Sequence, residues 1–241
     1  KKIQLKKWID RVDQMAKDDS IDGMVIYLQN ISGGFAKLSQ ARDALSRFKA
    51  AGKEIIVYSN SISNTGYYFI SMADEIYVPD LSGIDLRGLV IEVRFFKDML
   101  DSLAITAEVE QISPYKSAMD PYIRNSMSEE MRENYTMLFD DIYNRFVSSI
   151  ASGRGWSIEK TKEIINEGPY STKDAIQKGL ITDYMYPDIF EEYKKKKNGN
   201  KVDLISFGDI DNENEYVYNW IEEKDKIAVI YAVGGINLGK S

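Results

Sequence analysis

Lys116 is the residue whose type and surroundings point most directly to chemistry. The 241-residue sequence contains no histidine and no cysteine, so Ser–His–Asp triads, Cys–His pairs and imidazole or thiolate metal sites cannot be built from its residues alone. Acid–base chemistry near neutral pH then falls to a carboxylate or to a lysine that has lost its proton. Residues 113–122 read SPYKSAMDPY. Prolyl and apolar neighbours predict a loop, and desolvation there would disfavour a charged amine.

The elements that must position this lysine alternate between short apolar runs and amphipathic segments. Apolar residues at three- and four-residue steps predict helices over Leu5–Met15, through Ala41–Phe48 and around Phe95–Leu103. Before the lysine loop, short apolar runs predict four strands. These are Met24–Leu28, Glu54–Tyr58, Glu75–Val78 and Thr106–Glu110. The alternation indicates an α/β domain with a mostly parallel sheet flanked by helices.

The longest predicted helix follows the lysine loop. Ser128 is its expected N-cap, and the helix runs towards Ala151, where Gly153 and Gly155 are expected to end it. One stripe of this helix is apolar, which suits a subunit interface and core packing equally well. It consists of Tyr135, Leu138, Phe139, Ile142 and Phe146. A further helix is predicted over Ile158–Asn166.

Residues 113–122 resemble the Tyr-Lys-Ser-Ala-x-(Asp/Glu)-Pro-(Phe/Tyr) segment of the signal peptide peptidase A family, the protease IV-type Ser–Lys peptidases. Residues 170–183 are similar to a weaker signature, Ala-x-x-x-Gly-Leu-(Val/Ile)-Asp, which the ClpP/crotonase relatives share. The resemblance covers roughly residues 21–183 and implies a ClpP/crotonase-like fold. It also implies that Lys116 is the catalytic general base and that a serine elsewhere is the nucleophile. No metal and no cofactor is expected.

The position at which that family carries its serine is occupied here by asparagine. The family context is Ala-Ser-Gly-Gly-Tyr-Tyr after a strand, and residues 63–68 read Ser-Asn-Thr-Gly-Tyr-Tyr. Asn64 cannot form an acyl intermediate. A one-residue shift could bring Ser63 into place, and Ser117 adjoins Lys116, but neighbouring side chains point apart. We interpret Ser117 as a cap or turn hydroxyl.

Two smaller features belong to the same resemblance. Gly33-Gly34 stand where the family carries Asn-Ser-Pro-Gly-Gly, and we interpret them as a retained turn with at most a part in binding a substrate strand. Asp120 would raise the pKa of Lys116 if it faced the amine. The family also has an acidic residue there, before proline, so Asp120 is expected to cap the following turn.

The domain organisation predicted from these features is that of one repeat and the start of another. Residues 1–190 form the amino-terminal repeat with the lysine, residues 191–225 a connecting segment, and residues 226–241 the first strand of a truncated second repeat. The chain does not begin with Met, and we expect it to be the amino-terminal half of a tandem-repeat member. Its second repeat would supply the serine.

The implied function is a serine endopeptidase that degrades cleaved signal peptides and other apolar peptides. The resemblance places it at the bacterial inner membrane, facing the periplasm, as a homo-oligomer with an anchor upstream of Lys1. A formal charge of −7 argues against nucleic acid as a partner. One alternative is a non-catalytic scaffold in which Lys116 is inert. Another is a crotonase-type acyl-CoA enzyme, which predicts adenine-nucleotide binding that no feature of the sequence demands.

Overall fold

The computed structural model describes residues 4–29, 31, 33–197 and 200–210. The predicted strand of a second repeat, residues 226–241, lies outside the described residues. The helices are α1 (Leu5–Lys17), α2 (Phe35–Ala50), α3 (Asn64–Ile70), α4 (Lys97–Ser102), α5 (Asp120–Ile123), α6 (Glu129–Arg154), α7 (Ile158–Glu167), α8 (Thr172–Gln177) and α9 (Pro187–Tyr193). The strands are β1 (Gly23–Leu28), β2 (Glu54–Ser59), β3 (Ile62–Ser63), β4 (Glu75–Val78), β5 (Gly83–Asp85), β6 (Tyr170–Ser171), β7 (Asp183–Tyr184), β8 (Lys196–Lys197) and β9 (Asn200–Lys201).

A parallel sheet with the strand order β1-β2-β4-β7 forms the centre of the described domain. Because parallel neighbours cannot be joined by a hairpin, helices connect them: α2 crosses from β1 to β2, and α3 lies between β2 and β4. The expected α/β architecture with a mostly parallel sheet flanked by helices is confirmed.

The central strand β2 is buried on both faces, which is why it reads as a continuous apolar run. Ile55 and Val57 belong to the main core beneath α1, α2, α3, α6 and α7. Ile56 and Tyr58 point the other way, as the two-residue period requires, and pack against Phe190 of α9. The rings of Tyr58 and Phe190 stack with centroids 4.6 Å apart.

A second, small sheet joins the start of α3 to distant parts of the chain. β3 pairs in parallel with β5, with Ser63 opposite Asp85, and β5 pairs antiparallel with β6. These strands are only two or three residues long. They fix Ile62 and Ser63, the residues just before the position at which the nucleophile was expected.

Two predictions about elements are wrong. Thr106–Glu110 forms no strand: Ala107 and Val109 are half-buried between exposed neighbours, but no described strand lies alongside to complete a ladder. Gly153 does not end α6, which continues to Arg154 and stops at Gly155, a C-cap with a left-handed φ of 65°.

The predicted caps of the following helices are confirmed. The hydroxyls of Ser128 and Ser157 accept bonds from the backbone N–H groups three residues on, at the starts of α6 and α7. None of the described helices combines the length and apolarity that crossing a membrane requires.

Candidate active site

Lys116 lies on an excursion of the chain between β5 and α6. This excursion, residues 86–128, contains α4, a 3-10 turn at Ser117–Met119 and α5, and contributes no strand to the described sheets. The Lys116 backbone N–H donates to the Ser113 carbonyl at 2.9 Å. Its side chain is exposed, and its amine has no hydrogen bond or ion pair with any described residue. Nothing in this part of the protein desolvates it.

The turn around Lys116 is attached to its surroundings through its neighbours. The Tyr115 hydroxyl donates to the Glu133 carboxylate of α6 at 2.8 Å, and this bond raises the pKa of the tyrosine above its ordinary value. The Pro121 carbonyl accepts a bond from the Phe96 backbone N–H at 2.7 Å. The rings of Phe96 and Tyr122 stack at 5.9 Å. The turn is therefore held to α6 and to the start of α4.

Asp120 is a buried charged residue of this region. Its side chain accepts a bond from the Ser128 hydroxyl at 2.6 Å, and the Arg124 guanidinium lies 3.8 Å away. The expectation that Asp120 caps the following turn is wrong: it is the first residue of α5, and that helix has no side-chain cap. Its carboxylate reaches Ser128 instead, because that hydroxyl already sits at the N-terminus of α6, where a negative charge is favoured.

Asn64, at the expected nucleophile position, is engaged by backbone. Its side-chain oxygen accepts a bond from the Arg87 N–H at 2.6 Å, and its side-chain nitrogen donates to the Gly88 carbonyl at 3.4 Å. Ser63 is the N-cap of α3, because its hydroxyl accepts from the Gly66 N–H at 3.2 Å. The Asn64 side chain therefore both accepts from and donates to the backbone of residues 87–88, and the Ser63 hydroxyl is engaged as a helix cap.

No serine hydroxyl of the described residues forms a hydrogen bond with the Lys116 amine. Ser117, the adjacent residue, starts the 3-10 turn, and its carbonyl accepts the Asp120 backbone N–H. The described residues also contain no cluster of three or more acidic side chains arranged to hold a metal ion. Gly34 is the N-cap of α2, and a Cβ at Gly33 or Gly34 would meet nothing within 4 Å. Packing against described residues therefore does not require glycine there.

Sequence reasoning missed the three attachments that shape this region. These are the bonds Asp120–Ser128, Tyr115–Glu133 and Asn64 with residues 87–88. Each joins residues eight or more positions apart that belong to different elements or loops, so no helical or strand periodicity connects them. The only hint in the sequence was that the resembling family also carries an acidic residue, before proline, at position 120.

The fold and these motifs define an α/β domain with a lysine displayed on a loop beside a long helix. The chain belongs to peptidase family S49, whose family model matches residues 47–200. The serine-peptidase family expected from residues 113–122 is therefore confirmed. The family match does not address the prediction that the serine and the lysine come from two different repeats.

Several proteins resemble the chain over most of its length. It is 34% identical to Protease 4 of Haemophilus influenzae over 244 residues, covering 95% of this chain and 39% of that protein. It is 27% identical to the chloroplastic serine protease SPPA of Arabidopsis thaliana, over 92% of this chain and 33% of the relative. A putative signal peptide peptidase SppA of Enterococcus faecium is 20% identical, over 90% and 62% of the two chains. The chain thus spans about two fifths or less of the first two relatives.

Proposed function

We propose that this chain is the lysine-bearing half of a Ser–Lys endopeptidase whose nucleophilic serine comes from outside these 241 residues. One observation carries the proposal. Lys116 is displayed on an anchored turn with no side-chain partner among the described residues, whereas the nucleophile position holds Asn64, bonded to backbone. A divided site, with the base in one part of the protein and the nucleophile in another, requires a domain of this kind: Lys116 offers an amine without a partner in the part of the chain that the structure describes, and Asn64 offers no nucleophile.

In the proposed reaction Lys116 acts as a neutral amine. It takes the proton from the serine hydroxyl as the serine oxygen attacks the peptide carbonyl carbon. The resulting ammonium then donates that proton to the leaving amine as the peptide C–N bond breaks. Lys116 then takes a proton from water as the water oxygen attacks the acyl carbon. The ester C–O bond breaks, the serine oxygen takes the proton back from Lys116, and the carboxylic acid product leaves. Because an exposed lysine is charged near neutral pH, the surface that carries the serine must also desolvate Lys116.

The substrates we propose are cleaved signal peptides and other apolar peptides. The neighbourhood of Lys116 supports this class, since Tyr115, Met119 and Tyr122 each leave 42% or more of their surface exposed. One relative is named as a putative signal peptide peptidase. Exposed aromatic and thioether side chains near a catalytic base suit apolar side chains of a bound peptide.

We also propose a homo-oligomer attached to the bacterial inner membrane and facing the periplasm. The supporting feature is α6, whose apolar stripe divides into two parts. Phe146 is buried in the core, whereas Leu138 and the adjacent Met137 are 52% and 70% exposed. A second repeat or subunit could cover that outer half. Since one relative is chloroplastic, fractionation of the host cell is the direct test of the compartment.

The deciding experiment compares the full-length wild-type protein with Lys116→Ala in hydrolysis of an apolar fluorogenic peptide. We expect kcat to fall about a thousandfold or more while the oligomeric state is unchanged, because a general base contributes about 10²- to 10⁴-fold. Lys173→Ala, a lysine of the exposed face of α8, serves as the matched control and keeps wild-type turnover. Unchanged turnover in Lys116→Ala would favour the scaffold alternative, in which this domain serves assembly or substrate capture.

A further inference from the structure

The turn that carries Lys116 is fastened to the start of α6 on both sides. Before the lysine, the Tyr115 hydroxyl donates to Glu133 at 2.8 Å. After it, Asp120 accepts from the Ser128 hydroxyl at 2.6 Å. The Lys116 amine itself bonds to no described residue. The location of its backbone is therefore set by the attachments of its neighbours.

The two attachments differ in burial and hence in strength. Tyr115 and Glu133 are exposed, and water readily replaces a bond between exposed polar groups. Asp120 and Ser128 retain only 1% and 7% of their exposure. A buried partner left unsatisfied costs about 1–3 kcal/mol, and more when it is charged. The bond between Asp120 and Ser128 is therefore the stronger of the two.

Ser128 also connects Asp120 to the backbone of α6. As the N-cap, its oxygen accepts the Met131 N–H at 3.2 Å while its hydroxyl proton goes to Asp120. The carboxylate thus lies just beyond the N-terminus of a 26-residue helix, whose dipole favours a negative charge. The C-terminal half of that helix is buried in the core through Phe146 and Ile150. Asp120 therefore ties the lysine turn to a rigid element.

We propose that Asp120, acting through Ser128, is a positioning residue that sets the orientation of Lys116 for catalysis. This inference rests on the proposed function, in which Lys116 is the general base. A base must come within about 2.6–3.2 Å of the hydroxyl that it deprotonates. Because lysine has a long flexible stem, an error in backbone placement is carried to the amine, and a misplacement of about 1 Å can cost about 100-fold in rate.

The test uses the full-length protein and an apolar fluorogenic peptide. Asp120→Ala and Ser128→Ala are expected to lower kcat about 10- to 100-fold and to leave KM within about threefold. Asp120→Asn keeps an oxygen for the Ser128 hydroxyl and restores most of the lost kcat. Asp141→Ala removes an exposed carboxylate of the same helix that pairs with Arg145 at 3.0 Å. It is the matched control and leaves kcat unchanged.

Two couplings separate positioning from a general loss of structure. Asp120→Ala and Ser128→Ala each remove the same bond, the one between Asp120 and Ser128. The double variant is therefore expected to lose no more kcat than the worse single variant. In a Lys116→Ala background, Asp120→Ala is expected to cause no further loss. Amide hydrogen exchange in residues 113–124 is expected to become faster in Asp120→Ala and to stay unchanged in Asp141→Ala.

The outcomes distinguish failure of this inference from failure of the proposed function. If Lys116→Ala keeps wild-type turnover, the proposed function fails and the inference falls with it. If Lys116→Ala is inactive while Asp120→Ala keeps wild-type kcat, only the inference is overturned. It is also overturned if Asp120→Ala and Asp120→Asn lower kcat by the same factor. The side-chain oxygen that asparagine keeps for the Ser128 hydroxyl would then have no effect on the lysine.

Discussion

Two arginines that contact α3 are bonded to neutral oxygens. Arg42 of α2 donates to the Ser71 hydroxyl at 2.8 Å, to the Ser149 carbonyl at 2.5 Å and to the Tyr68 carbonyl. Burial lowers the pKa of Arg42 to about 10. Arg154 donates to the Tyr67 hydroxyl at 3.0 Å. Together they tie α3, whose first residue is the asparagine at the nucleophile position, to α2 and α6.

Tyr67 should make the stability of the domain fall at alkaline pH. Its ring is fully buried and its hydroxyl donates to the Leu180 carbonyl at 2.9 Å, and burial raises its pKa to about 12. Between pH 10 and 12 the unfolded tyrosine loses its proton while the folded one keeps it, so stability decreases as pH rises. A shift of two units corresponds to roughly 2–3 kcal/mol.

Urea unfolding of wild type and Tyr67→Phe at pH 9, 10 and 11 measures this effect. We expect wild type to lose free energy of unfolding more steeply above pH 10 than Tyr67→Phe. Comparing the slopes of unfolding free energy against pH removes any pH-independent loss of stability caused by deleting the hydroxyl. Parallel slopes would show that ionisation of Tyr67 does not contribute.

Asn64 should hold the segment that follows β5. In Asn64→Ala the Arg87 N–H loses its acceptor, and its exchange is expected to accelerate about five- to tenfold, as loss of a bond of about 1 kcal/mol implies. Asn64→Asp retains an acceptor oxygen and should keep Arg87 protected. Amide exchange followed by mass spectrometry measures both variants. Equal protection of Arg87 in Asn64→Ala would contradict the assigned role.

At the level of elements, the sequence predicted what depends on local chemistry or strong periodicity. The N-caps Ser128 and Ser157 bond to backbone three residues on, and β2 contains the uninterrupted apolar run Ile55–Tyr58, so both are local signals. Thr106–Glu110 has the alternation of a strand and lacks a neighbouring strand, which no local signal reveals. β3 and β6 are two residues long, too short for any pattern. The bond between Asp120 and Ser128 depends on tertiary placement and was missed for the same reason.

Gly153 shows how tertiary contact reverses a local preference. In an exposed helix, replacing glycine with alanine stabilises by about 1 kcal/mol. A Cβ at position 153 would lie 2.8 Å from the Ser71 carbonyl oxygen, a backbone atom, so α6 or the end of α3 must shift. Overpacking of this kind typically costs about 1–3 kcal/mol. We therefore expect Gly153→Ala to be net destabilising.

Urea denaturation of Gly153→Ala against the neighbouring Ser152→Ala tests this contact. Ser152 is exposed on the same turn of α6, so its substitution is expected to change the free energy of unfolding by less than about 0.5 kcal/mol. A Gly153→Ala protein as stable as Ser152→Ala would mean that the two helices can move apart without cost.

At the scale of the whole molecule, the described domain has a tightly packed centre, whereas the excursion of residues 86–128 buries few of its side chains. The sheet and its helices share one large core, whereas residues 86–128 leave many apolar side chains exposed. Val90, Leu103 and Ile112 are 61% or more exposed. Exposed apolar side chains on the excursion that carries the proposed base suit a surface that another part of the protein covers. The surface that covers them would then both supply the serine and remove water from the Lys116 amine.

A serine-directed fluorophosphonate probe tests that division on the intact protein. We expect the probe to label full-length wild-type protein at a serine outside residues 1–241, and Lys116→Ala to abolish the labelling, because the serine is unreactive without its base. The isolated chain should stay unlabelled. Mass spectrometry of the labelled peptide locates the serine. An adduct on Ser63 or Ser117 would place the nucleophile within this chain and overturn the divided site. Labelling that persists in Lys116→Ala would instead assign the base to another residue.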